Sequence, residues 1–435
     1  TFLLANPRKG KPPPHRGRPG GQQVETNAEG RPRRVPSRPP PVPGQHIYLS
    51  IDMRLQAVAE KALEDYNGAI VALDPRNGEI LALASQPTYD PNPFVNGIDF
   101  ASYRLLNTSK DRPLLNRALR GIYPPGSTVK PLMALAGLEY GEVNRYSGVF
   151  CPGFYRLPGS SHKFRDWRRG GHGSVSMDRA IAQSCDVYFY NLAFNLGIDR
   201  IHEFLDRFHL GRPTGVDLPG EKSALLPSQE WKRRVHKHAW FAGDTISAGI
   251  GQGYFLTTPL QLAHATAVIS QRGADFKPRV LLATEDPGTR IKTPEAPRPL
   301  PPVTVKNPQF WDTVIAGMIH VVEGGTAHRI GIGAKYRIAG KTGTAQVFTV
   351  GQNERYNASR LARHLLDLAL FVASARADDP RTGGGVPAEH GGGGRKTAAP
   401  MARKVMDAYL LDKYDQPVAD EARDTQGDAQ RDGSE

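Results

Sequence analysis

The stretch Gly68–Ser85, GAIVALDPRNGEILALAS, constrains this chain more than any other. Two apolar runs flank Asp-Pro-Arg-Asn-Gly, a turn with a mechanism: Pro75 fixes φ and Gly78 permits positive φ. The pattern predicts a β-hairpin. Before it, HIYLSIDMRLQAVAEKALEDY predicts a strand and then an amphipathic helix, with Leu55, Val58, Ala59 and Ala62 at helical spacing. From about residue 111 to 270 the pattern is mainly helical with long loops. FWDTVIAGMIHVVEGGTA reads as a helix closed by Gly324 and Gly325, and YRIAGKTGTAQVFTV and DLALFVASARADD read as strands. A hairpin early, helices in the middle and strands late predict one mixed sheet built from both ends of the chain and covered by helices. That is an α+β fold rather than a regular βαβ array.

The 435 residues are 39% hydrophobic, enough for a large core in one big domain or two ordinary ones. No run of about 18 apolar residues offers a membrane span. The formal charge of +13 suits an anionic partner (nucleic acid, anionic lipid or an acidic polymer), although a solvated basic surface is the commoner cause. Residues 1–45 are rich in Pro, Arg and Gly and read as a linker or the edge of another domain. Residues 46–414 carry the core-forming pattern, and residues 415–435 read as a disordered polar tail. After the last strand-like run, TGGGVPAEHGGGGRKTAAP is poor strand material, so a terminal strand is expected to be lost or weakly paired.

Three short motifs carry the chemistry. In PPGSTVKPLM, Ser127 and Lys130 stand three apart at a predicted helix start, which stacks a hydroxyl and an amine on one face. Pro131 is tolerated in a first turn. Serine is a weak nucleophile and needs a base, and lysine serves as one only when its amine is neutral. Taken alone, the pair reads as an N-cap and a surface lysine. AQSCDVYFYN adds Ser184 and Asp186 at the start of an apolar helical run. AGKTGTAQ adds Lys341, Thr342, Gly343 and Thr344 in a strand, where a glycine lets a substrate backbone lie close. In this order the three form the motif set of penicillin-recognising serine enzymes.

On these motifs, and on IDMRLQ, YDPNPF, NRALRGIYPPGSTVKP, SAGIGQGY and TTPLQLA, the chain resembles the transpeptidase domain of the penicillin-binding protein 2 family. These are class B, elongation-type D,D-transpeptidases of Gram-negative bacteria. The resemblance runs from about Gln23 to Leu410. It implies the penicillin-binding, serine β-lactamase-like fold, with a mostly antiparallel sheet flanked by helices and an all-helical subdomain. It implies a D-Ala-D-Ala transpeptidase or carboxypeptidase acting on peptidoglycan stem peptides and acylated by β-lactams. Ser127 would be the nucleophile and Lys130 its base, and Ser184 would shuttle a proton. The Ser127 and Thr344 N–H groups would form the oxyanion hole. Thr342 and Thr344 would hold the substrate carboxylate. Lys341 would supply positive potential that helps keep Lys130 neutral. Asp186 stands where the wider superfamily has Asn. The resemblance further implies a periplasmic domain anchored in the inner membrane, a RodA-type glycosyltransferase and the MreC scaffold as partners, and no nucleic acid. A penicillin-sensing module and a serine β-lactamase share the motifs; turnover of a D-Ala-D-Ala substrate separates them.

Cys151 and Cys185, the two cysteines of the chain, bracket a loop holding Asp166 and His172. Four such ligands suit tetrahedral zinc. One disulfide and two free thiols are the other readings, and His162 is a substitute ligand. The family resemblance implies a structural zinc in this loop.

Overall fold

The Asp-Pro-Arg-Asn-Gly turn closes a hairpin, with Gly78 at φ 76° and Gly68–Leu73 paired antiparallel to Ile80–Gln86. The computed structural model describes residues 17–18, 20–21, 23–28, 31–346 and 366–414. The hairpin forms one side of a five-stranded sheet, in the order Ile338–Ala345, Leu368–Ala375, Thr382–Ala388, Gly68–Leu73, Ile80–Gln86. Both ends of the chain build it, as expected. Every pairing is antiparallel, so the sheet is more uniform than the expected mixed one.

Both faces are covered. Ala69, Val71 and Leu73 pack with Leu260, Ala263 and Ala267, whereas Ile70 and Ala72 point into the larger core with Leu55, Ala59, Met406 and Leu410. Leu260 to Ala267 belong to the helix Pro259–Ser270, all of whose residues are buried. Its N-terminus is fixed by a capping box between Thr258 and Gln261. The opposite face carries Met53–Ala62 and Ala398–Tyr414.

The glycine-rich segment departs from expectation. Thr382–Ala388 is neither lost nor weakly paired: it is the central strand, paired on both sides. Added Cβ atoms on Gly383 and Gly385 would lie 3.4 Å from Ala267 Cα and 3.4 Å from Pro259 O. The helix backbone therefore rests directly on the strand, and large side chains there would push it away. Low β-propensity is overridden by two ladders of hydrogen bonds and by this close approach. The ladder to Gly68–Leu73 skips Val386 and Pro387, as Pro387 has no N–H to give.

The second layer is helical. Lys130–Glu139, buried along its whole length, packs on Asp186–Asp206 and Gln309–Glu323. Two small antiparallel ribbons interrupt this layer: Gly148–Cys151 with Gly173–Ser176, and Phe154–Tyr155 with Phe164–Arg165. They carry the Cys-Asp-His loop. Within the Pro/Arg-rich segment read as a linker, Gln23–Thr26 pairs with Pro32–Ser37. Residues 347–350 of the expected YRIAGKTGTAQVFTV strand, and the expected tail 415–435, lie outside the described residues. Among the described residues no helix is long and apolar enough to cross a membrane.

Candidate active site

Ser127 sits in the 3-10 turn Gly126–Val129, and Lys130 is the first residue of the α-helix it feeds. Two close approaches hold this turn. Gly126 N–H donates to Gly251 O at 2.8 Å, and a Cβ on Gly251 would lie 2.3 Å from Gly126 O. A Cβ on Gly126, at φ 53°, would lie 2.9 Å from Thr344 O. The turn is thus wedged between the SAGIGQGY loop and the third-motif strand. That explains the Pro-Pro-Gly before Ser127: no residue with a side chain fits at Gly126.

Lys130 joins the first motif to the second. Its fully buried amine donates to Ser184 O at 2.8 Å, Ser184 Oγ at 3.2 Å and Asp186 Oδ1 at 2.7 Å. Three acceptors, one of them a carboxylate, match the three protons of an ammonium. Ser184 is held at φ 57°, a left-handed conformation that costs a non-glycine residue about 1–2 kcal/mol. That conformation turns both its carbonyl and its hydroxyl toward Lys130. Trp167 secures the arrangement: its indole N–H donates to Ser184 O at 3.1 Å and its backbone N–H to Asp186 Oδ2 at 3.0 Å.

The third motif lies in the edge strand Ile338–Ala345, with Lys341 opposite Val372 and Thr344 opposite Ala369. Lys341 is also fully buried, but among the described residues its amine meets only Thr342 O, at 3.0 Å. Burial, aided by the nearby Lys130 charge, pushes Lys341 well below the ordinary lysine value. Lys130 has a carboxylate partner in Asp186, whereas among the described residues Lys341 has none. Thr342 Oγ1 is 2.7 Å from Thr326 Oγ1, and Thr344 is exposed. A Cβ on Gly343 would lie 2.8 Å from Thr128 Cγ2, so glycine lets the strand meet the nucleophile turn.

The four expected metal ligands come together. Cys151, Asp166, His172 and Cys185 are all buried, and their ligand atoms lie within 4.8 Å of one another. Both cysteines are free. Cys151 Sγ is 3.5 Å from Asp166 Oδ2 and 3.6 Å from His172 Nδ1. Burial lowers the His172 value, favouring the neutral ring, and burial raises the Cys185 thiol. A carboxylate, two thiols and an imidazole favoured in its neutral form, all buried together, are a donor set that fits zinc. His162 is exposed and stacks edge-on to Phe164, outside this cluster.

Asp166 has a second task that the sequence did not disclose. Its Oδ2 accepts the backbone N–H groups of Asp186 at 2.8 Å and Val187 at 3.2 Å. It therefore caps the second-motif helix, which has Cys185 at the N-cap and no cap from that residue's own side chain. Trp167, Thr326 and Gly251 were also missed as site residues. Trp167 adjoins Asp166, a usable hint; nothing in the local sequence marks Thr326.

The family model of the penicillin binding protein transpeptidase domain matches residues 68–407. Peptidoglycan D,D-transpeptidase MrdA of Acinetobacter baumannii is 45% identical over 413 residues, covering 92% of this chain and 59% of that protein. The MrdA of Escherichia coli strain K12 is 40% identical over 397 residues, covering 91% and 62%. The chain thus spans about three fifths of the length of these relatives. Among solved structures, Pseudomonas aeruginosa PBP2 in complex with WCK 5153 superposes with a TM-score of 0.79 at 47% identity, covering 89% of this chain and 80% of that one. Helicobacter pylori PBP2, solved in complex with MreC, gives 0.77 at 31%, covering 91% and 70%.

Proposed function

The chain belongs to the penicillin-binding protein transpeptidase family, and from that premise we propose that it is a peptidoglycan D,D-transpeptidase of cell-wall elongation. The observation that carries this reading is the triple contact of Lys130 with Ser184 and Asp186, which ties the first two motifs into one buried site beside Lys341. Ser127 Oγ attacks the carbonyl between the terminal D-alanines of a stem peptide. The Ser127 and Thr344 N–H groups receive the oxyanion. Lys130, held by Ser184 and Asp186, takes the Ser127 proton. Ser184 Oγ, hydrogen-bonded to Lys130, then carries a proton toward the departing D-alanine. The amine of a second stem peptide attacks the resulting ester. Thr342 and Thr344 hold the substrate carboxylate. A β-lactam enters the same path and stays on Ser127.

Cys151, Asp166, His172 and Cys185 hold a structural zinc in this proposal, and bound zinc would supply a fixed cation that locks the four side chains together. Asp166 would then fasten the metal loop to the second-motif helix through the Asp186 and Val187 N–H groups. The place of action is the periplasmic face of the inner membrane. MreC is a partner by likeness to the Helicobacter pylori complex, and a RodA-type glycosyltransferase by family.

Fluorescent penicillin and a D-Ala-D-Ala-type thioester test the enzymatic reading. A covalent adduct on Ser127, lost in Ser127→Ala, together with thioester turnover supports it. An adduct that forms without any turnover points to a sensor, and labelling that survives Ser127→Ala sinks the assignment.

A further inference from the structure

A cleft of about 410 Å³ opens beside the second and third motifs. Arg168, Arg329, Arg395 and Lys396 line it, and no Asp or Glu does. None of these four cations has a carboxylate partner among the described residues, unlike Arg200, which pairs with Glu142. A cleft lined by uncompensated positive charge and by no carboxylate suits an anion.

Its walls are those of the active site. Thr326 lines the cleft and touches Thr342 of the third motif. Trp167 lines it and holds Ser184 and Asp186 of the second. Gly394 lies against the third-motif strand, since a Cβ there would stand 2.4 Å from Gly343 O. Arg395 and Lys396 are thereby delivered beside the motif. One participant in the proposed reaction has no place yet. The terminal D-alanine's carboxylate goes to Thr342 and Thr344, while the attacking peptide still needs a seat next to the acyl-enzyme.

We propose, resting on the transpeptidase reading, that this cleft binds a carboxylate of the peptide strand whose amine attacks the Ser127 ester. Arg395, Lys396, Arg329 and Arg168 would seat the anion, and so present the amine to the ester from the side of the second motif.

Trp167 gives a direct readout. The protein is titrated with a short peptide bearing a free amine and free carboxylates, with the same peptide amidated, and with inorganic phosphate, following tryptophan fluorescence against a Trp167→Phe blank. The expected result is saturable binding of the acidic peptide, weaker by about tenfold or more on amidation, in Arg395→Glu/Lys396→Glu, and separately in Arg329→Glu. These residues are exposed, so unchanged melting temperatures are expected for the variants. Equal binding of acid and amide, unchanged binding in both variants, phosphate binding as tight as the peptide, or no binding at all would each overturn the proposal. Penicillin labelling of the unmodified protein judges the enzymatic reading separately, so the two failures are distinguishable.

Discussion

Lys130 Nζ lies 2.7 Å from Asp186 Oδ1, and the amine is sealed from solvent. A buried ion pair is strongly coupled: removing one partner strands the other charge, at a cost of about 3–5 kcal/mol. Lys130→Ala and Asp186→Ala are each expected to lower the melting temperature and abolish penicillin labelling. The double substitution is expected to destabilise by less than the sum, because no charge is then stranded. Additive losses in chemical denaturation would show that the pair is not coupled.

Lys341 gives a pH dependence of the opposite sense to an ion pair. Its value is pushed well below the ordinary 10.5 by burial and by Lys130. Between those two values the unfolded chain binds a proton that the folded protein does not, so this residue makes stability rise with pH across that window. Below its lowered folded value the penalty is at its full size. Lys341→Met removes the penalty, so the variant's stability advantage is expected to shrink as pH rises from 7 toward 10. Urea titrations of both proteins across that range measure the difference; a gap independent of pH refutes the neutral-amine state.

Metal analysis after purification without chelator is expected to find one zinc per chain. Chelation, or Cys185→Ser, is expected to lower melting temperature and penicillin labelling together, because Asp166 ties the metal cluster to the second-motif helix. Absence of zinc with a mass two hydrogens light identifies a Cys151–Cys185 disulfide instead.

The glycine strand separates two neighbouring positions. A Cβ at Gly384 would lie 2.8 Å from Val71 O, a backbone atom of the adjacent strand, whereas one at Gly383 meets only ordinary contacts from 3.4 Å. Gly384→Ala is expected to destabilise by about 1–3 kcal/mol through overpacking. Gly383→Ala is expected to be neutral or to stabilise by a few tenths of a kcal/mol through the unfolded chain, with about 1 kcal/mol as a ceiling. Equal effects at the two sites would contradict the packing described.

Legibility in the sequence followed the range of the interactions. The Gly68–Gln86 hairpin was readable because its turn residues dictate it locally. Ser127 and Lys130 were readable because a helix start fixes their spacing. The strand Thr382–Ala388 was misread because its stability comes from two neighbouring strands and from a helix backbone packed close against its small residues. The pairing of Lys130 with Asp186 went unread for a similar reason. Which buried amine owns Asp186 is a matter of tertiary distance, and no local pattern encodes it. The helix-capping role of Asp166 is hidden likewise.

The pairing of Gly68 with Ala388 also sets a timetable. During synthesis the hairpin emerges well before the strand Thr382–Ala388, so its free edge has no partner until that distant segment has also left the ribosome. Closing so distant a contact is slow, and until then an apolar strand edge stands open to other chains. Assembly of this sheet is therefore a late, chain-spanning event, and the helices encoded in between have time to pack first.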